Sequence, residues 1–181
     1  NIEFKIGTFS EIPVEDNSVD KITSTLALHW VPSIKSSLNE IKRVLKPEGS
    51  IDIMLTEKDD GDSFKNPIIA AMKKHLNFTQ IMNAATLSQR LSKTHMKENL
   101  LKFFNENDYK IDVKNIKQQI FGNFDEHMKW WKSRSEQIIS EIEDKEGFLV
   151  DLKEELEKIR TEKGIPFDLS LLYINVKKIK T

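Results

Sequence analysis

The stretch Asp20-Lys21-Ile22-Thr23-Ser24-Thr25-Leu26-Ala27-Leu28-His29-Trp30-Val31 carries the decisive pattern. Its first six residues are rich in β-branched side chains, as a strand requires. The apolar run that follows leads into Pro32-Ser33, where Ser33 is a candidate helix N-cap. Beyond it, Ile34, Leu38, Ile41 and Leu45 recur at spacings of four, three and four, which puts them on one helical face. Lys46-Pro47-Glu48-Gly49 supplies basic, proline and glycine stop signals, and residues 50–55 read as another strand. Strand, helix and strand joined by short connections indicate an α/β fold.

Upstream, residues 2–7 alternate apolar and polar and stop at Gly7, which predicts a short strand. A turn-rich acidic stretch runs from Pro13 to Ser18. Downstream, Asn66-Pro67 has the form of an N-cap followed by a first-turn proline, with Ile68, Ile69, Met72 and Leu76 as the apolar stripe. A second helix is predicted over 94–107, burying Met96, Leu100, Leu101 and Phe104. Residues 109–121 read as a longer strand, 124–142 and 148–162 as charged amphipathic helices, and 167–176 as a closing strand. With no internal repeat and no low-complexity linker, one domain is expected.

Composition narrows the function. The chain of 181 residues has 28 Lys and Arg against 29 Asp and Glu, so its net charge of -1 gives no electrostatic reason to expect nucleic acid or an anionic membrane. No apolar run approaches the length of a membrane span. The absence of cysteine excludes disulfides, thiolate catalysis and Cys-ligated zinc, and fits a reducing, cytoplasmic setting. His75, His95 and His127 lack metal-ligand spacing, so no metal is expected. The first residues lack the pattern of a signal peptide, and without an initiator Met the chain is expected to begin inside a longer protein.

Three segments in order carry a resemblance. Gly7-Thr8-Phe9-Ser10-Glu11-Ile12-Pro13 with Val19-Asp20 is similar to a G-D-A-x-x-L-P pattern ending in F-D. Residues 24–31, Ser-Thr-Leu-Ala-Leu-His-Trp-Val, are similar to an S-N-L-A-L-H-W stretch, and residues 41–49 to an R-V-L-K-P-G-G helix end. Together they resemble the second half of a class I S-adenosylmethionine-dependent methyltransferase domain. Residues 124–132 and 167–176 are similar, more faintly, to the malonyl-carrier-protein O-methyltransferases and other small-carboxylate methyltransferases.

The resemblance implies a partial Rossmann-like methyltransferase sheet with helical lid insertions. Residues 1–57 would form the sheet core with the cofactor rim, 58–107 a helical insertion, 108–122 a strand, 123–162 a helical lid and 163–181 the final strand. The cofactor would be S-adenosyl-L-methionine, at the carboxyl ends of the strands where open α/β sheets place their ligands. Thr8 and Phe9 would border the adenine, Ser24, Thr25 and Leu26 would line the methionine end, and His29 and Trp30 would face the methyl-transfer space as the catalytic pair.

Two departures bear on affinity. Thr8 stands where the family has an acid, and a hydroxyl accepts a hydrogen bond more weakly than a carboxylate. The six glycines are isolated, at 7, 49, 61, 122, 147 and 164, so the chain contains no G-x-G-x-G loop. In the family's strand order, 3-2-1-4-5-7-6, residues 2–7 correspond to strand 3 and residues 20–25 to strand 4. Strand 20–25 would then be an open edge: either the chain self-associates along it or residues 2–7 rearrange to pair elsewhere, and in both cases cofactor binding would be weak at most.

The chemistry needs little acid–base assistance, because the sulfonium leaving group is neutral and a carboxylate is already nucleophilic. Alignment and exclusion of water suffice. The reading is therefore methyl transfer to a small-molecule or carrier-bound carboxylate, with a non-catalytic methyltransferase-like binding or scaffolding subunit as the alternative. His29 and Trp30 can orient the acceptor, or cap a turn and pack beneath the sheet rim. Trp130 and Trp131 point about 100° apart on a helix, so either at most one belongs to the core and the other lines a substrate lid or a partner surface, or both fill an irregular helical layer. Lys132 and Arg134 are cations for an acidic carrier or ordinary surface residues.

Overall fold

A computed structural model describes residues 2–85, 90–135 and 139–179. The chain forms two compact units where sequence alone leads one to expect a single domain. The first comprises Asn1–Lys58, Ser88–Ile116 and Ser170–Thr181, and the second Asp59–Leu87 and Lys117–Leu169.

In the first unit, β1 (Val19–Thr25) is followed by a 3-10 turn (Leu28–Trp30), helix α1 (Ile34–Val44) and β2 (Leu45–Thr56). Ser33 caps α1 as its sequence predicts, its side chain accepting the Ser36 N–H at 3.2 Å. Ile34, Leu38, Ile41 and Val44 are the buried apolar face of α1, and Leu45 is buried at the start of β2. Two further strands, β3 (Tyr109–Gly122) and β4 (Ile165–Lys178), complete a sheet of order β1-β2-β4-β3. β1 runs parallel to β2, and β4 runs antiparallel to it. This order is the 4-5-7-6 portion of the arrangement expected from the resemblance.

Strand β2 begins five residues before the predicted position 50. Val19 pairs with Leu45 but Lys21 pairs with Ser50, so the Lys46-Pro47-Glu48-Gly49 stop signal is accommodated as an irregularity within the strand. Residues 2–7, in contrast, belong to no strand. Ile2, Phe4 and Ile6 are 84%, 92% and 101% exposed. Alternation specifies a face, but a strand needs a partner to take its backbone bonds, and the described residues offer this segment none.

One sheet face carries Ile51, Ile53 and Leu55 of β2 and Leu172, Ile174 and Val176 of β4, all fully buried. They share a core with α1 and with Met96, Leu100 and Phe104 in and beyond helix α4 (Lys93–Leu101). Leu101 is 38% exposed, contrary to its predicted burial. Its neighbour Leu100 occupies the core direction, and a helix turns about 100° per residue. On the other face, the Asp52 carboxylate accepts Tyr173 O–H at 2.7 Å, Asn175 N–H at 2.6 Å and Lys21 Nζ at 2.8 Å. These donors, Lys21 first, hold its pKa down at about 2.

The second unit contains helices α2 (Asp62–His75), α3 (Phe78–Ala85), α5 (Phe124–Arg134) and α6 (Lys145–Glu157). Helix α2 starts four residues before Asn66, so Pro67 lies inside it rather than at its first position. Asp168 accounts for the earlier start: its carboxylate accepts Ser63 N–H at 3.0 Å, doing from β4 what Gly61 cannot do as an N-cap. The buried side of α2 is Phe64, Pro67, Ala71 and Met72, while Ile68 and Ile69 are half-buried. Helix α5 opens with a capping box between Asn123 and Glu126. The predicted helix 124–142 ends at Arg134, with residues 136–138 outside the described set, and the predicted helix 148–162 is α6. Phe64, Met72, Met128, Trp131, Phe148, Leu152, Leu156 and Phe167 fill this unit's core.

Candidate functional site

The carboxyl end of β1 is shaped by Leu26. Its N–H bonds Met54 O at 2.7 Å, which ends the parallel pairing, and its φ of 53° lies in the left-handed region. A leucine rarely adopts that conformation, and such strain concentrates at functional positions. The side chain is 45% exposed. Sequence inspection marks Leu26 as a rim residue but gives no sign of this backbone turn.

Ser24, Thr25 and Leu26 are contiguous at this strand end. Thr25 is exposed, and the Ser24 hydroxyl is buried with no hydrogen-bond partner among the described residues. The Thr56 hydroxyl, at the carboxyl end of the adjacent parallel strand β2, is likewise buried and unpartnered. An unsatisfied buried hydroxyl is costly, and polar groups left so are candidates for a ligand or ordered water.

His29 and Trp30 sit in the 3-10 turn just beyond. His29 is buried, with Nδ1 accepting the Thr56 N–H over a long 3.5 Å, while Trp30 is 37% exposed. Their rings lie 5.0 Å apart. His29 ties the turn to the end of β2, and the Trp30 ring is partly exposed. Close by in sequence, Glu57 is buried and accepts Ser170 O–H at 3.0 Å. That pair, 113 residues apart, has no signature in the sequence.

Thr8 and Phe9 lie in a small turn closed by reciprocal backbone bonds of 3.2 Å between Thr8 and Glu11. Phe9 packs partly against the first unit's core, and Thr8 Oγ1 is exposed, 3.2 Å from Ser10 Oγ. An open recess of about 930 Å³ is lined by Thr8 with Lys5, Glu11, Ile12, Val14 and Arg43 among others, and does not include Phe9, Ser24, Thr25 or Leu26. The five predicted cofactor residues therefore occupy two places in the first unit.

Trp130 and Trp131 belong to the second unit. Trp131 is 5% exposed within its core. Trp130 is half-buried, with its ring edge-on to Phe167 at 4.7 Å and to His127 at 5.8 Å. Among the described residues no group of three or more His, Asp or Glu could hold a metal ion, and no helix is long and apolar enough to cross a membrane.

Residues 1–53 match the family model of the methyltransferase domain. The matched segment ends in β2 and includes the whole of the β1 rim. Demethylmenaquinone methyltransferase of Lactobacillus johnsonii is 31% identical over 108 residues, covering 55% of this chain and 44% of its own length. The ubiquinone/menaquinone biosynthesis C-methyltransferase of Rickettsia typhi is 28% identical over 116 residues, covering 63% and 45%. A methyltransferase-like protein of Schizosaccharomyces pombe is 35% identical over 60 residues, covering 33% and 23%. The chain thus spans less than half the length of these curated relatives.

Among solved structures, the YcgJ protein of Bacillus subtilis aligns with a TM-score of 0.59 at 17% identity, over 100% of this chain and 73% of that one. A loganic acid methyltransferase with SAH aligns with a TM-score of 0.64 at 10% identity, over 97% and 66%. The fold is that of the α/β methyltransferases.

Proposed function

We propose that this chain serves S-adenosyl-L-methionine-dependent methyl transfer to a small-molecule or carrier-bound carboxylate. The observation that carries this reading is the coincidence of the family match over residues 1–53 with the strained strand end at Leu26. Ser24, Thr25 and Leu26 line the methionine end of the cofactor, and Thr8 and Phe9 border the adenine. The unpartnered Ser24 hydroxyl fits such a ligand, since it would gain the bond it lacks. When bound, the cofactor supplies a methyl group already activated on a sulfonium.

A carboxylate acceptor asks least of the site: it arrives ionised and already nucleophilic, so no strong general base is needed. His29, tied through Nδ1 to the Thr56 N–H, orients the acceptor beside the cofactor. Trp30 shields the transfer space from water. Of the second unit's pair, Trp130 is the substrate-side candidate, because Trp131 is committed to the core.

Incubation with methyl-labelled S-adenosyl-L-methionine and a panel of small carboxylic acids, carrier-bound acids, quinols and amines tests the reading. Labelled ester is the expected product. Labelled quinol or amine would overturn the carboxylate assignment, and cofactor binding without any product would favour a non-catalytic role. The free edge of β1 is a template for a further strand. Light scattering on this chain is expected to show a mass above that of one copy, 21.1 kDa, and a monomer at all concentrations would remove the edge-paired dimer.

A further inference from the structure

We propose that Arg43 is a positioning residue for the cofactor rim, setting the loop of residues 12–18 and, through it, the Thr8–Glu11 turn. The inference rests on the cofactor assignment above and extends it to a residue outside the rim. The loop contains no helix or strand, so something other than a backbone ladder must determine its course.

The guanidinium does this with all five of its N–H groups. Nε donates to Glu40 Oε1 at 2.8 Å, and Nη2 donates to Glu40 Oε2 at 2.8 Å and to Ile12 O at 2.9 Å. Nη1 donates to Val14 O at 3.0 Å and to Asp16 Oδ1 at 2.7 Å. Glu40 adds a bond of its own, Oε2 accepting the Ile12 N–H at 3.0 Å. The end of α1 completes the attachment, with Arg43 O accepting Asn17 N–H at 2.9 Å and Val44 O accepting Ser18 N–H at 3.0 Å.

The two carboxylate partners and the two backbone carbonyls lie in different directions. A planar fork can serve them together, whereas a lysine ammonium cannot reach all of them from one place. Bonds from a charged donor to backbone carbonyls are also stronger than neutral ones. Arg43, followed by Ile12 N–H, keeps the Glu40 carboxyl at a pKa of about 2, so the pair stays ionised throughout the neutral range. The captured loop starts one residue after Glu11, whose backbone closes the Thr8 turn, and Ile12 packs with Phe9 against the first unit's core. Arg43 and Thr8 line the same recess.

The test compares wild type, Arg43→Lys and Glu40→Gln as the full 181-residue chain. Amide hydrogen exchange and titration with S-adenosylhomocysteine are followed by NMR. Arg43→Lys is expected to speed exchange at Glu11, Ile12, Asn17 and Ser18 and to leave Ile51, Ile53 and Ile174 as protected as in wild type. Affinity is expected to fall about tenfold, the effect of losing the equivalent of one charge-assisted bond. Glu40→Gln, which keeps one acceptor oxygen, is expected to show a smaller change in both readings, and it carries the test if the lysine variant fails to fold. Unchanged affinity in a folded variant whose loop exchanges fast would overturn the positioning role alone. A wild-type chain that binds no S-adenosylhomocysteine would overturn the cofactor assignment as well, while the exchange data would still show whether Arg43 holds the loop.

Discussion

Trp131→Ala is expected to lower the stability of the second unit by about 3–5 kcal/mol, the usual cost of truncating a buried tryptophan. Trp131 is 5% exposed and shares a core with Met128, Phe148, Leu152 and Leu156. Alanine would leave a cavity that helices held by several other contacts can only partly close. Since domains are stable by about 5–15 kcal/mol, the loss is a large fraction of the total. Trp130→Ala removes a half-buried ring whose edge-on contacts are with Phe167 and His127, and a smaller loss is expected. Urea denaturation of both variants reads the difference. Equal losses would mean that the pair shares the core, and a substrate-side role for Trp130 would then lose its basis.

Thr25→Trp is expected to weaken cofactor binding by tenfold or more, about 1.4 kcal/mol at the least. Thr25 is exposed and immediately precedes the left-handed turn at Leu26, so an indole there would fill the space assigned to the methionine end. The register at this point is well determined, Thr25 pairing with Met54 and Leu26 N–H bonding Met54 O. The variant therefore keeps its strand, and loss of binding would come from occlusion. Thr23→Trp, two residues earlier on the same face of β1, is the control and is expected to bind as wild type does. Equal affinity in wild type and Thr25→Trp would remove the β1 rim from the cofactor site.

Local signals in the sequence carried much of the first unit. The 3.6-residue spacing of Ile34, Leu38 and Ile41 and the cap at Ser33 predicted α1, although the last residue of the stripe, Leu45, opens β2. The order of elements predicted the α/β architecture, and the resemblance implied that β1 and β2 are neighbours. What failed to show was non-local. Residues 2–7 alternate like a strand, but alternation says nothing about whether a partner is present. Helix α2 starts early because of Asp168, about a hundred residues away in sequence. For the proposed site, the resemblance pointed to Thr8 and Phe9 and to Ser24, Thr25, Leu26, His29 and Trp30 within one seven-residue stretch. The turn at Leu26, the buried Glu57–Ser170 pair and the Arg43 clamp depend on backbone geometry or on contacts between distant segments. Arg43 was visible as a motif letter at a helix end, and nothing in its neighbours revealed its five acceptor contacts.

Titration of the wild-type chain with S-adenosyl-L-methionine, followed by amide chemical shifts, tests the central claim most directly. A dissociation constant near 1 mM is expected, about 4 kcal/mol, because the proposed rim would act in a chain whose six glycines are isolated. The shifted amides are expected to be those of Thr8, Phe9, Ser24, Thr25 and Leu26. Absence of any shift at several millimolar cofactor, or shifts confined to residues 117–169, would contradict a cofactor rim at the end of β1.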